Sequence, residues 1–229
     1  MRRVGVGLLA ALLVSLAGGC KKSPSTEPSG SKQAQSAQPS APPVETVARV
    51  HWLGKKRLAA ETNAAAFMAI WNLPESVRLE AQTLDKLALA PWRSSQPGTN
   101  QLSTLNSQLS TLLRPLLDDL LQEESYLEIR NATNQPGELA LAIRLNAQRA
   151  ALWETNLAAV LESLTGTRPT PVQGANGGWQ LRITNQLATF RSFGLTRAGD
   201  WTILGLAPDK TALAAELLAR IQKDQAPCP

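Results

Sequence analysis

A chain of 229 residues, 43% of them hydrophobic, is long enough to pack one sizeable core. Its net charge of +5 suggests nucleic acid, but five of the 23 basic residues and one of the 18 acidic ones precede residue 44, leaving 18 against 17. A nearly neutral body without a dense Lys/Arg stripe argues against a surface that tracks phosphates, and no nucleic-acid partner is expected.

In chain order, Met1-Arg2-Arg3 is a short cationic start, and residues 4–17 are apolar apart from Ser15 and two glycines. Fourteen residues fall short of the roughly 20 that a helix needs to cross a bilayer, and match the core of a secretory signal. Gly5-Val6-Gly7-Leu8-Leu9-Ala10 fits a dinucleotide pattern but has no strand before it to make that motif work. The stretch Leu16-Ala17-Gly18-Gly19-Cys20 then puts small residues before a cysteine, with a polar tract after it. This leader resembles the bacterial lipoprotein class, whose lipobox carries Leu three places before the cysteine; here Leu16 stands four places before it. The resemblance covers residues 1–20 alone. It implies that Cys20 is the lipidation site, that cleavage removes residues 1–19, and that the new amino terminus is acylated. Lys21 follows where related proteins kept at the inner membrane carry aspartate. The resemblance thus implies an outer-membrane anchor facing the periplasm. A Cys20–Cys228 disulfide, an ordinary secretory signal and an uncleaved anchor stay open as alternatives.

Residues 23–43 hold six Ser, five Pro and three Gln, with no aromatic residue. Such a composition buries too little surface to offset its ordering entropy, so residues 20–43 are expected to be a lipidated, disordered tether. As a flexible coil it would span roughly 25 Å, and about 65 Å if the prolines keep it extended.

From residue 44 to the end the pattern predicts one α+β domain. Val44, Ala48, Val50 and Trp52 alternate with Glu45, Arg49 and His51, as in a half-buried strand. Gly54-Lys55-Lys56-Arg57 reads as a turn, and Phe67, Ile70 and Trp71 share a helical face. Pro74 opens a helix striped by Val77, Ala81 and Leu84 that ends by Pro91. QLSTL then repeats after seven residues, and Leu102, Leu105, Leu109 and Leu112 fall at heptad spacing. Two heptads are too few for a coiled coil, and Arg114-Pro115 is expected to break or kink the helix. The stretch around 98–124 therefore reads as a helical insert packed on the same domain, with a partner-binding helix as the other reading. A hairpin follows around Pro136-Gly137, then a helix from Trp153 to Leu164 that ends at Thr165-Gly166. Three further strands begin at Trp179, Leu187 and Trp201, and Trp201 to Leu206 is apolar on both faces, as in a covered central strand. A final helix carries Leu213, Leu217 and Ile221. The order predicts an antiparallel sheet of about five strands with helices packed on one face, plus a helical N-terminal part.

Little in this body points to chemistry. His51 is the sole histidine, and no cluster has metal-ligand spacing. Asp119 and Glu123, at i and i+4, share a helix face, which reads as a solvated acidic face before it reads as an acid/base couple. The six tryptophans (Trp52, Trp71, Trp92, Trp153, Trp179 and Trp201) fall mostly on predicted buried faces, with Trp92 the exception. No catalytic, cofactor-binding or metal residue is assigned. The expected function is a lipid-anchored cell-envelope protein that binds or scaffolds, with the membrane and another envelope protein as partners. The alternatives are an envelope hydrolase acting on glycan or peptidoglycan, and a glycan-binding module built on exposed tryptophans.

Overall fold

The computed structural model describes residues 44–93, 102–132, 135–173, 177–184, 190–209 and 211–223. Cys20, the tether, Cys228 and the side chain of Trp92 lie outside the described residues. The elements, in chain order, begin with β1 (Val44–Trp52), α1 (Lys55–Ala60), a 3-10 turn (Thr62–Ala64), α2 (Ala65–Trp71), α3 (Pro74–Arg93) and α4 (Leu102–Gln122). They continue with β2 (Ser125–Ala132), β3 (Gln135–Arg144), α5 (Ala147–Thr165), β4 (Thr170–Pro171), β5 (Trp179–Arg182), β6 (Ser192–Ala198), β7 (Trp201–Ala207) and α6 (Ala212–Gln222). The seven strands form a single antiparallel sheet in the order β1-β2-β3-β7-β6-β5-β4.

The α+β class is as expected, and two details differ. The sheet has seven strands rather than five, because β1 adds to the edge beside β2 and the two-residue β4 closes the other edge. Helices also cover both faces. Leu139, Leu141 and Ile143 of β3 point into a core shared with Leu84 and Ala88 of α3, Leu113 and Leu116 of α4, and Trp153 and Leu157 of α5. The alternate residues Ala140 and Ala142 point the other way, to Leu213 and Leu217 of α6. That second face is lined with small residues, so α6 sits close: a Cβ on Gly205 would stand 2.6 Å from the Cβ of Ala214.

Three elements show how the sequence sets the local structure. The Asn146 side chain caps α5 by accepting from the Arg149 backbone N–H at 2.9 Å, and Gly166 ends the helix in the left-handed conformation. In β1 the pairing register with β2 slips at Val47, an extra residue in a bulge between Thr46 and Ala48. Pro115 does not break α4, which runs through it. Buried leucines on both sides of the proline, Leu113, Leu116 and Leu117, hold the helix in place. Donors come from α5, with Asn156 Nδ2 bonding Leu112 O at 2.8 Å and Arg149 Nη2 bonding Pro115 O at 2.9 Å.

Candidate functional site

The titratable residues in the interior are locked into ion pairs. Asp119, on α4, is buried and accepts from Arg149 Nε at 2.9 and 3.0 Å and from Trp153 Nε1 at 2.8 Å. Glu123 turns to a different neighbour, Lys56. The i, i+4 pair therefore does not act as a couple: one carboxylate ties α4 to α5, the other ties α4 to α1. His51 is exposed, with Nε2 2.9 Å from Glu124 Oε1. Glu124 also meets Arg57 at 3.5 Å and Arg144 at 3.1 Å.

In the sequence Glu128 alternates with Leu127 and Ile129 and reads as solvent-facing. Its side chain is fully buried, since α6 covers that face. The carboxylate accepts from Arg220 at 2.8 Å, Tyr126 Oη at 2.9 Å and Arg130 Nε at 3.0 Å, with Arg49 at 3.6 Å. Burial alone would raise its pKa, but these donors outweigh burial and bring it down to about 2. Such a group stays ionised at any physiological pH, which suits a structural pin and not a proton carrier. Among the described residues, no group of three or more His, Cys, Asp or Glu is placed to hold a metal ion.

The tryptophans are committed in the same way. Trp153 and Trp179 are buried, and the indole N–H of Trp179 bonds Glu154 O at 3.0 Å. Trp52 donates to Leu121 O at 3.0 Å, Trp71 donates to Glu80, and Trp201 lies under the Arg144 guanidinium at 5.6 Å. None of these five forms part of an exposed row for stacking on sugars.

What the structure does expose is apolar. On α2 and the start of α3, Phe67 is 51% exposed, Ile70 65%, Leu73 49% and Val77 44%. Phe67, Ile70 and Trp71, expected on one helical face, divide: Phe67 and Ile70 face outward and Trp71 turns inward, while Val77, from the separate stripe of α3, is exposed as well. Phe67 meets Trp71 edge-on at 5.1 Å, and Trp71 lies 5.9 Å from Trp52, whose N–H is fixed to α4. Lys55 Nζ sits 5.3 Å from the centre of the Trp71 ring and 2.8 Å from Glu80. Burial alone would raise the Glu80 pKa, but the hydrogen bonds from Lys55 and Trp71 outweigh it and hold the carboxyl below its usual range. The Ser76 hydroxyl of α3 donates to Ile70 O of α2 at 2.9 Å, which ties the two helices, and Val77 N–H closes the first turn of α3 on Leu73 O at 3.0 Å. The ridge is thus a preformed apolar surface on a braced base.

Of the heptad-spaced leucines, Leu109 lies in the main core and Leu112 packs against it, and the side chains of Leu102 and Leu105 lie outside the described residues. A neutral groove of about 260 Å³ runs beside α6, lined by Gln180, Gly194, Thr196, Thr211 and Leu218.

No family model matches the chain, nor does any curated protein or solved structure.

Proposed function

We propose that this chain is a lipid-anchored cell-envelope protein that works by binding or scaffolding, tied through Cys20 to the outer membrane and facing the periplasm. The observation that carries the binding part is the contrast between interior and surface. The carboxylates weighed as an acid/base couple, Asp119 and Glu123, are closed by ion pairs to Arg149 and Lys56, whereas Phe67, Ile70, Leu73 and Val77 are left uncovered. Exposed apolar patches on otherwise polar surfaces mark places of interaction. The address rests on the residue pattern of the leader and on the composition of the tether. No helix among the described residues is long and apolar enough to cross a membrane, so an attached lipid would supply the anchorage.

Metabolic labelling with a radioactive fatty acid tests the anchor. The expected result is a labelled, shortened chain for the wild type, and an unlabelled, unprocessed precursor for Cys20→Ser. A Cys20→Ser variant that is still cleaved efficiently and released as a soluble product would overturn it.

A further inference from the structure

We infer that the ridge of Phe67, Ile70, Leu73 and Val77 seats on a lipid bilayer surface, pressing the domain against the membrane instead of leaving it to swing at the end of a tether. The reach argument below rests on Cys20 being the anchor. Three observations select lipid as the occupant.

The first is size. Four side chains, each about half exposed, offer on the order of 400 Å². A stable pair of copies needs about 800 Å² from each partner. The four side chains supply about half of that area, so the ridge alone does not make a stable face for a second copy, and it is large enough for shallow insertion among acyl chains.

The second is composition. Phe, Ile, Leu and Val occupy the ridge itself, while Asn72, Glu75 and Arg78 stand exposed alongside it. One carboxylate and one guanidinium carry no net charge between them. The surface would therefore bind through apolar insertion, and without a preference for anionic headgroups.

The third is reach. Trp52 ends β1 and stacks on Trp71 beneath the ridge, so the ridge lies one strand length, roughly 30 Å, from Val44 where the tether joins. The residues between Cys20 and Val44 extend to about 80 Å at most. The anchor and the ridge can therefore meet the same bilayer. Tethering holds the ridge at a high effective concentration near that bilayer, so weak intrinsic partitioning suffices for lasting contact.

The test uses the chain from residue 20 onward carrying Cys20→Ser, which keeps every element of the fold and has no acyl group. It is floated with vesicles of phosphatidylethanolamine and phosphatidylglycerol. Tryptophan quenching by brominated lipid is read in parallel, since Trp71 lies 5.1 Å from Phe67. The expected result is vesicle binding with quenching, reduced at least tenfold by Ile70→Glu with Leu73→Glu, at an unchanged urea midpoint. Equal binding of the two proteins, or no binding by the parent at any lipid concentration, overturns the inference. So does a concentration-dependent dimer that the double substitution abolishes, which would assign the ridge to a second copy. Vesicle binding by this acyl-free chain, alongside a wild-type Cys20 that takes no label in cells, would sink the anchor and leave the ridge standing.

Discussion

Replacing Glu128 by Gln removes one negative charge from a site where Arg220, Arg130 and Arg49 converge, and keeps the side chain's size. In the folded protein the carboxyl pKa is about 2, against an ordinary 4.5. At 1.36 kcal/mol per pKa unit, that displacement corresponds to about 3 kcal/mol of stability. The folded state holds this proton less readily than the unfolded chain does. The contribution is therefore complete above an ordinary glutamate pKa and is lost as the pH falls toward 2. At pH 7 Glu128→Gln leaves the guanidinium groups facing a neutral amide and should cost about 3 kcal/mol, near the lower end of the range for breaking a buried pair. For a domain of this size that lowers Tm by about 6–12 °C. Urea unfolding of both proteins, followed by tryptophan fluorescence, measures the gap. It should shrink to under half its neutral value at about pH 3, where the wild-type carboxylate has lost most of its advantage. A gap below about 1 kcal/mol at pH 7, or one that stays the same at pH 3, would refute the claim that this charge cluster pins α6 to the sheet.

Three further outcomes follow from the packing. Asp119→Asn should lose about 3 kcal/mol in the same urea assay, because the Arg149 guanidinium loses a two-oxygen charged partner while Trp153 retains an acceptor. Thr202 is buried with a hydroxyl that has no hydrogen-bond partner among the described residues, so Thr202→Val should be neutral or raise stability by about 1 kcal/mol, seen as an equal or higher Tm. Gly205→Ala should cost about 1–3 kcal/mol in a thermal melt, since its new methyl group would collide with Ala214 of α6 and with Thr211, the residue before that helix. The same change at Gly194, where the nearest atom stands 3.7 Å away, should leave the close seat of α6 undisturbed and its melt near the wild-type value.

The hairpin of β2 and β3, the capped helix α5 and the central strand β7 were legible because each carries its own signal: strict alternation, a glycine stop, or a run apolar on both sides. The run from Trp201 to Leu206 held more information than was drawn from it. A strand apolar on both sides needs a cover on both sides, which is the role of α6. Gly54-Lys55-Lys56-Arg57 reads as a turn because it has no apolar face. Its three basic residues instead open the helix Lys55–Ala60, and their contacts lie far along the chain, with Lys55 on Glu80, Lys56 on Glu123 and Arg57 on Glu124. Pro115 illustrates the same limit. A helix-breaking cost of about 3 kcal/mol is a local quantity, and the buried leucines on either side that offset it are tertiary. Of the candidate surface, the stripe was visible as a spacing, but nothing local told its outward side from its inward side. Glu128 was illegible for a related reason, since its principal partner, Arg220, lies 92 residues away.

That separation governs the order of assembly. A chain emerging from synthesis presents β1, β2 and β3 well before α6 exists to meet them. Until α6 arrives, the middle of the sheet carries an anion without its strongest counter-ion and an alanine-paved face open to water. Folding can therefore reach completion only after the last described helix has left the site of synthesis.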